Sequence, residues 1–86
     1  MMDRSSLADT PNDRRVTIVA IALEGEAGEW LAAVGLHAGE QLVVLRRAAL
    51  GGPLHVRTGS GGEFAVAREV AKQITVESTM AVPEAS

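Results

Sequence analysis

The sequence predicts a mainly β fold: a small antiparallel barrel of about five strands, with one short α-helix after the first long strand. Three observations lead to this prediction. The chain has 86 residues, enough for one domain. Short segments that are rich in β-branched residues, or that alternate between apolar and polar residues, are separated by glycine-rich turns. After the first such segment the apolar residues recur with the period of a helix.

Composition limits the classes of function. Hydrophobic residues are 47% of the chain and charged residues 22%, which is typical of a folded domain, and the only aromatic residues are Trp30 and Phe64. The absence of cysteine excludes disulfides, thiolate metal sites and thiol nucleophiles. The net charge is -3 and the basic residues are not massed in one segment, so we expect no nucleic-acid binding. No apolar run approaches the ~20 residues of a membrane span, so we expect a cytoplasmic protein without direct membrane insertion.

The N-terminal part is predicted to contain a tail, a turn and the first long strand. Residues 1–6 have no pattern and are predicted to be a disordered tail, as are residues 78–86 at the other end. Residues 7–9 could form a short lead-in strand. Residues 16–23 are continuous and β-branched, which predicts a buried strand. The domain is therefore expected to span residues 7–77.

The helix is predicted over residues 24–34, with glutamates at its start, where the helix dipole favours negative charge. Its apolar residues fall at i, i+3, i+4 and i+7 and predict one buried face: Ala27, Trp30, Leu31 and Val34. Gly35 is expected to end the helix in the left-handed conformation. Leu36 would then fold back onto the last turn.

The remaining elements follow from alternation and from turn residues. Four further strands, at residues 41–47, 54–58, 63–67 and 74–77, are predicted, with loops at 48–53 and 59–62 and a helical turn within 68–73. The pair 54–58 and 63–67 is predicted to form a hairpin around its glycine-rich turn.

No group of residues predicts catalysis. Ser60 lies among glycines, but not in the strand-to-helix turn that a nucleophilic serine requires. We therefore expect Ser60 to be a turn residue and the protein not to be an enzyme. His37 and His55 are the only histidines and lack metal-ligand spacing; we expect them to be surface groups, with at most weak or adventitious Fe²⁺ or Zn²⁺ binding and no cofactor.

Apolar residues near glycines predict a docking surface instead. The predicted contact residues are Leu36 beside Gly35, and Leu50 in the loop with Gly51, Gly52 and Pro53. For Leu36, a place in the core at the end of the helix fits the sequence equally well.

Three arginines could form a basic strip across neighbouring strands. Arg46, Arg47 and Arg57 would suit a phosphate or an acidic partner, but solvated strand positions paired with Glu63 or Glu77 explain them more simply.

With these elements in place, the chain resembles the FeoA family over residues 7–77. Five segments carry the resemblance: the opening Leu7-Ala8-Asp9 with Pro11, the first strand at 16–21, the "L-x-x-x-G-L-x-x-G" element within 30–39, the turn Leu50-Gly51-Gly52-Pro53, and the closing "A-[LV]-x-x-x-x-A-x-x-I-x-V" at 65–76. Similar barrels also occur as the C-terminal domain of DtxR-type repressors. The helix, with Trp30-Leu31-Ala32-Ala33, lacks the arginine-rich and leucine-rich face common in the family.

The resemblance implies an SH3-like barrel and a non-enzymatic accessory role in ferrous-iron uptake. It further implies docking on the cytosolic region of the FeoB membrane GTPase, which would recruit the protein to the inner face of the membrane. Weak self-association into a homo-oligomer is compatible with this role. Two alternatives stay open at this point: an SH3-like regulatory or interaction module that binds a peptide or another domain, and an iron-responsive metal-binding protein.

Overall fold

A computed structural model describes residues 4–78, which form one antiparallel sheet of six strands with two helices. The strands are β1 (Arg4–Ser6), β2 (Arg15–Ile21), β3 (Gln41–Arg47), β4 (Leu54–Thr58), β5 (Glu63–Val66) and β6 (Ile74–Ser78). The helices are α1 (Gly25–Ala33) and α2 (Arg68–Ala71), and a 3₁₀ turn spans Leu7–Asp9. The strand order is β1-β6-β2-β3-β4-β5. The mainly β class, the long strands and the helix after the first long strand are confirmed.

The N-terminal segment differs from its prediction. Arg4–Ser6 is not a tail but the edge strand β1, which pairs with β6, and the side chains of Arg4 and Glu77 are joined by an ion pair of 2.7 Å. The sequence gives no sign of this strand because its residues are polar and do not alternate. The predicted lead-in strand is also wrong: Leu7–Asp9 is a 3₁₀ turn. Ser78 belongs to β6, and the rest of the predicted tails, residues 1–3 and 79–86, lies outside the described residues.

Two β-bulges bend the sheet. One interrupts the pairing of β2 with β6 between Ile18 and Ala20, and the other interrupts the pairing of β3 with β4 between Val44 and Arg46. An extra residue on one strand bends that strand and increases its twist. Within residues 4–78 the edge strands β1 and β5 do not pair with each other, so closure of the sheet into a barrel stays a prediction.

The core is aliphatic, as the composition requires. One cluster gathers the buried apolar residues of every long strand together with those of the turns and helices: Leu7, Ala8, Val16, Ile18, Leu31, Leu36, Leu42, Val44, Leu54, Val56, Val66, Ala71, Ile74 and Val76. Phe64 packs against this cluster from a partly buried position, and Trp30 is half exposed.

Helix α1 meets the core mainly at its C-terminal end. Of the four residues predicted to form its buried face, only Leu31 is fully buried, while Val34 is partly buried. Gly35 ends the helix with φ +96°; its N–H donates to the Ala32 carbonyl at 3.1 Å, and the Leu36 N–H donates to the Leu31 carbonyl at 2.8 Å. This pair of bonds is the Schellman ending that the sequence predicts, and it directs Leu36 into the core.

Candidate functional site

The two leucines predicted as contact residues have opposite environments. Leu36 has no exposed surface, so its predicted role as a contact residue is wrong and its alternative role, in the core, is confirmed. Leu50 is fully exposed at the tip of the loop between β3 and β4. Among residues 4–78 the only other large hydrophobic side chain that is exposed is Trp30.

The loop that carries Leu50 is closed by two backbone hydrogen bonds. The Ala48 N–H donates to the Pro53 carbonyl at 2.9 Å, and the Gly52 N–H donates to the Ala49 carbonyl at 3.2 Å. Between them Leu50 has φ +61° and Gly51 has φ +76°. Positive φ at both central residues is the pattern of a type I′ turn, which joins neighbouring antiparallel strands without splaying them.

Leucine is an unfavourable residue at the first central position of such a turn. A non-glycine residue in the left-handed region costs about 1–2 kcal/mol, because Cβ approaches the following carbonyl oxygen, and Asn, Asp or Gly is the usual choice there. Gly51 meets the same requirement at the next position without that cost. Leu50 is therefore strained as well as exposed, and its side chain adds nothing to the core. Strain that the fold does not need often marks a functional site.

A groove of about 190 Å³ lies beside this loop. It is lined by Arg46, Arg47, Ala48, Pro53, Leu54, His55 and Ala65. We call the loop residues Leu50, Gly51, Gly52 and Pro53, together with this groove, the loop surface. The loop surface combines four of the predicted contact residues with one of the two histidines.

Arg47 fixes the base of this loop to the N-terminal segment. Its guanidinium donates to the carbonyl oxygens of Ala8, at 2.8 Å, and of Thr10, and also lies 3.5 Å from the Asn12 side-chain oxygen. The sequence suggested a solvated surface position for Arg47. It gave no sign of the actual contacts, because the carbonyl groups that Arg47 binds lie more than thirty residues away in the chain. Its neighbour Arg46 is exposed.

The histidines do not converge. His37 is exposed in the connection between α1 and β3, and its Nδ1 lies 3.1 Å from the Ala38 carbonyl oxygen. His55 lies on β4, with Nε2 3.1 Å from Oε1 of Glu63. In residues 4–78, no three His, Cys, Asp or Glu side chains are placed to share a metal ion.

A second groove, of about 230 Å³, lies at the other end of β4. Its lining includes Arg15, Gln41, Arg57, Thr58 and Gly59. Of the three arginines expected to pair with Glu63 or Glu77, only Arg57 does so among residues 4–78, with 3.9 Å between its guanidinium and the Glu63 carboxylate. Although this groove is the larger one, the loop beside it, at 59–62, presents no large apolar side chain.

No helix among residues 4–78 combines the length and the apolar character that crossing a bilayer requires.

A family model and a solved structure point to the same family. The family model of the FeoA domain matches residues 5–78. The solution structure of the FeoA protein from Chlorobium tepidum is 30% identical over 86% of this chain and 70% of that one, with a TM-score of 0.79. No match is found among curated proteins.

Two more distant structures show the fold. Stenotrophomonas maltophilia FeoA, solved in complex with zinc and described as a prokaryotic SH3 domain protein, is 23% identical over 83% of this chain and 87% of that one, with a TM-score of 0.69. A manganese-dependent transcriptional repressor is 22% identical over 87% of this chain but only 36% of its own, with a TM-score of 0.81. The fold is therefore SH3-like, and it also occurs within a longer regulator.

Proposed function

The chain belongs to the FeoA family of ferrous-iron transport accessory proteins, and we propose that it is a cytoplasmic, non-enzymatic member that docks on the cytosolic region of the FeoB membrane GTPase. The loop surface is the docking site, and docking brings the protein to the inner face of the membrane. The observation that carries the proposal is Leu50, which is fully exposed and held in a left-handed conformation.

The physical argument compares the two environments that Leu50 can have. In the free protein its side chain lies in water, and its backbone conformation is unfavourable. Burying a leucine side chain in a partner is favourable by about 1.5–3 kcal/mol, which corresponds to roughly a tenfold to hundredfold gain in affinity. The short loop, closed by its two backbone bonds, presents this side chain with little further loss of chain entropy.

The other residues of the loop surface have supporting roles. Gly51 provides the second left-handed position, and a Cβ at Gly52 would come within 2.7 Å of the Ala48 Cβ, so the turn leaves no room for a side chain there. Pro53 begins the return to β4 and lines the groove. These residues shape the loop that holds Leu50 outward.

A metal-dependent role has weaker support. The FeoA of S. maltophilia was solved with zinc, and in this chain one histidine, His55, contacts a carboxylate, that of Glu63. Two ligands on exposed strands favour only weak, adventitious Fe²⁺ or Zn²⁺ binding, since stable zinc sites use three or four protein ligands.

The direct test measures, by calorimetric titration, the affinity of this protein and of its Leu50→Ala variant for the FeoB cytosolic region of the same organism. We expect the wild type to bind and Leu50→Ala to bind at least about tenfold more weakly. Ser60→Ala, in the exposed loop at the other end of β4, is the matched control and should bind like the wild type. Equal affinity of all three proteins, or no binding by the wild type, would contradict the proposal.

A further inference from the structure

We infer that the loop surface recognises an acidic protein face, in which an apolar pocket for Leu50 is rimmed by carboxylates. The inference rests on the proposed docking role of the loop and adds the chemistry of the partner's site. It is carried by two arginines beside the loop, Arg46 and Arg68.

Both arginines lie against the loop. Arg46, near the end of β3, lines the groove together with Pro53. Arg68 is the first residue of α2, and its aliphatic stem passes the loop so closely that a Cβ at Gly51 would lie 3.7 Å from its Cδ. The exposed leucine is thus accompanied by a cationic side chain from β3 and another from α2.

Neither guanidinium has a partner among residues 4–78: no ion pair or side-chain hydrogen bond joins Arg46 or Arg68 to them. The nearby carboxylates are engaged elsewhere. Glu63 lies 3.1 Å from His55 and 3.9 Å from Arg57, and Glu69 lies 3.8 Å from the Lys72 ammonium. The positive charge beside Leu50 is therefore uncompensated within the described chain.

The distribution of charge along the chain adds orientation. Residues 16–45 carry four glutamates and no lysine or arginine: Glu24, Glu26, Glu29 and Glu40. The helix α1 and its connections are thus acidic, whereas the loop surface is basic. An acidic partner is attracted to the loop surface and repelled by the helix, which raises the rate of correctly oriented encounters.

An acidic protein fits these features better than other anionic surfaces do. A nucleic-acid backbone offers no pocket for a leucine. A membrane would be held by one leucine and two cations on a chain of net charge -3, whereas stable anchoring needs two strong signals. Carboxylates, by contrast, can pair with a guanidinium through two parallel hydrogen bonds and leave an apolar pocket between them.

The experiment follows the backbone amide signals of Leu50, Gly51 and Gly52 by NMR, in the full-length protein. Three probes are added in turn: a short helical peptide of leucine, alanine and glutamate, its twin with lysine for each glutamate, and phosphatidylglycerol vesicles. The variants are Arg46→Gln and Arg68→Gln, singly and together. Arg14→Gln is the matched control, because Arg14 also has no ion pair among residues 4–78 but is not part of the loop surface.

We expect the glutamate peptide to shift the loop signals and the lysine twin to leave them unchanged. Each of the two arginine variants should weaken the response, and the double variant most, while Arg14→Gln responds like the wild type. With the FeoB cytosolic region at low salt, the double variant should associate about tenfold more slowly, because rim charges act chiefly on the association rate.

The outcomes separate this inference from the proposed function. If the FeoB region does not bind but the glutamate peptide shifts the loop, the proposed partner is wrong and acidic recognition stands. If the FeoB region binds equally to the wild type and to both arginine variants, docking stands and the inference is overturned. A loop that responds equally to both peptides, or to vesicles and not to the glutamate peptide, also overturns it.

Discussion

Strand β4 begins at one glycine-containing loop, residues 48–53, and ends at another, residues 59–62. The second loop satisfies its own polar groups: the Thr58 hydroxyl lies 3.0 Å from the Ser60 hydroxyl and accepts the Gly62 N–H at 3.2 Å. The Gly61 N–H also donates to the Thr58 carbonyl at 2.9 Å. Thr58 itself is buried.

The first loop is built differently, although it joins the same sheet. Its two hydrogen bonds are both between backbone groups, and its central side chain, Leu50, contacts water in an unfavourable conformation. Glycine content alone therefore does not distinguish a turn that satisfies its own polar groups from the loop that we propose as the docking site. The distinction lies in whether side chains at the turn bond to one another, as those of Ser60 and of Thr58 at the end of β4 do, or project from it, as Leu50 does.

The largest effect is expected when two leucines are compared, one buried in the core and one exposed on the loop. Leu36→Ala removes a fully buried side chain and should lower the free energy of unfolding by about 3 kcal/mol, within the range for cavities left in a core. Leu50→Ala should change it by less than about 0.5 kcal/mol, as expected at an exposed position. Urea denaturation of both variants measures the difference, and equal losses would contradict the assignment of Leu50 to a partner.

The second largest effect is expected at the base of the loop at residues 48–53. Arg47→Met should lower the free energy of unfolding by about 2 kcal/mol, because the carbonyl groups of Ala8 and Thr10 lose their charged donor. Arg47→Lys, which keeps the charge but cannot donate as a fork, should lose about half as much. Denaturation measured in parallel checks the order. If the lysine variant were as unstable as the methionine variant, retaining the positive charge would contribute nothing to stability, and the prediction would be wrong.

A smaller effect on stability is expected at the loop at residues 59–62. Thr58→Val preserves the shape of the side chain but removes the acceptor of the Gly62 N–H, which should cost about 1 kcal/mol of stability. Binding to the FeoB cytosolic region should not change, which calorimetry on the folded variant measures. A large loss of affinity would contradict the proposed docking site, because it would place that site at the loop of residues 59–62.

The sequence predicted the long strands, the helix and its Schellman ending, because these follow from local periodicity and from glycine positions. It did not predict strand β1, whose polar residues are held by pairing with the distant β6, nor the anchoring role of Arg47, whose partners are backbone carbonyl groups. Trp30 was predicted on the apolar face of the helix and is half exposed, because α1 meets the core mainly at its C-terminal end. These misses share a cause: each depends on a contact between segments far apart in the chain.

The loop surface was predicted only in part for a related reason. Leu36 and Leu50 both follow or adjoin glycines, and the sequence cannot tell which of the two projects outward. The helix ending turns Leu36 into the core, whereas the hairpin turn leaves Leu50 outside. The two arginines beside the loop, Arg46 and Arg68, come from separate elements and are brought together only by the fold.

The central claim, that Leu50 disfavours the fold and serves a partner, is tested most directly by global amide hydrogen exchange of the Leu50→Asn variant. Asparagine tolerates the left-handed conformation, so the variant alone should be more stable than the wild type by about 1 kcal/mol and exchange more slowly. The FeoB cytosolic region, added well above its Kd for the wild type, should slow exchange at least about tenfold more in the wild type than in the variant, because each tenfold loss of affinity removes about 1.4 kcal/mol of the stabilisation by a ligand. Faster exchange of the variant alone, or equal protection of both proteins by the FeoB region, would contradict the claim.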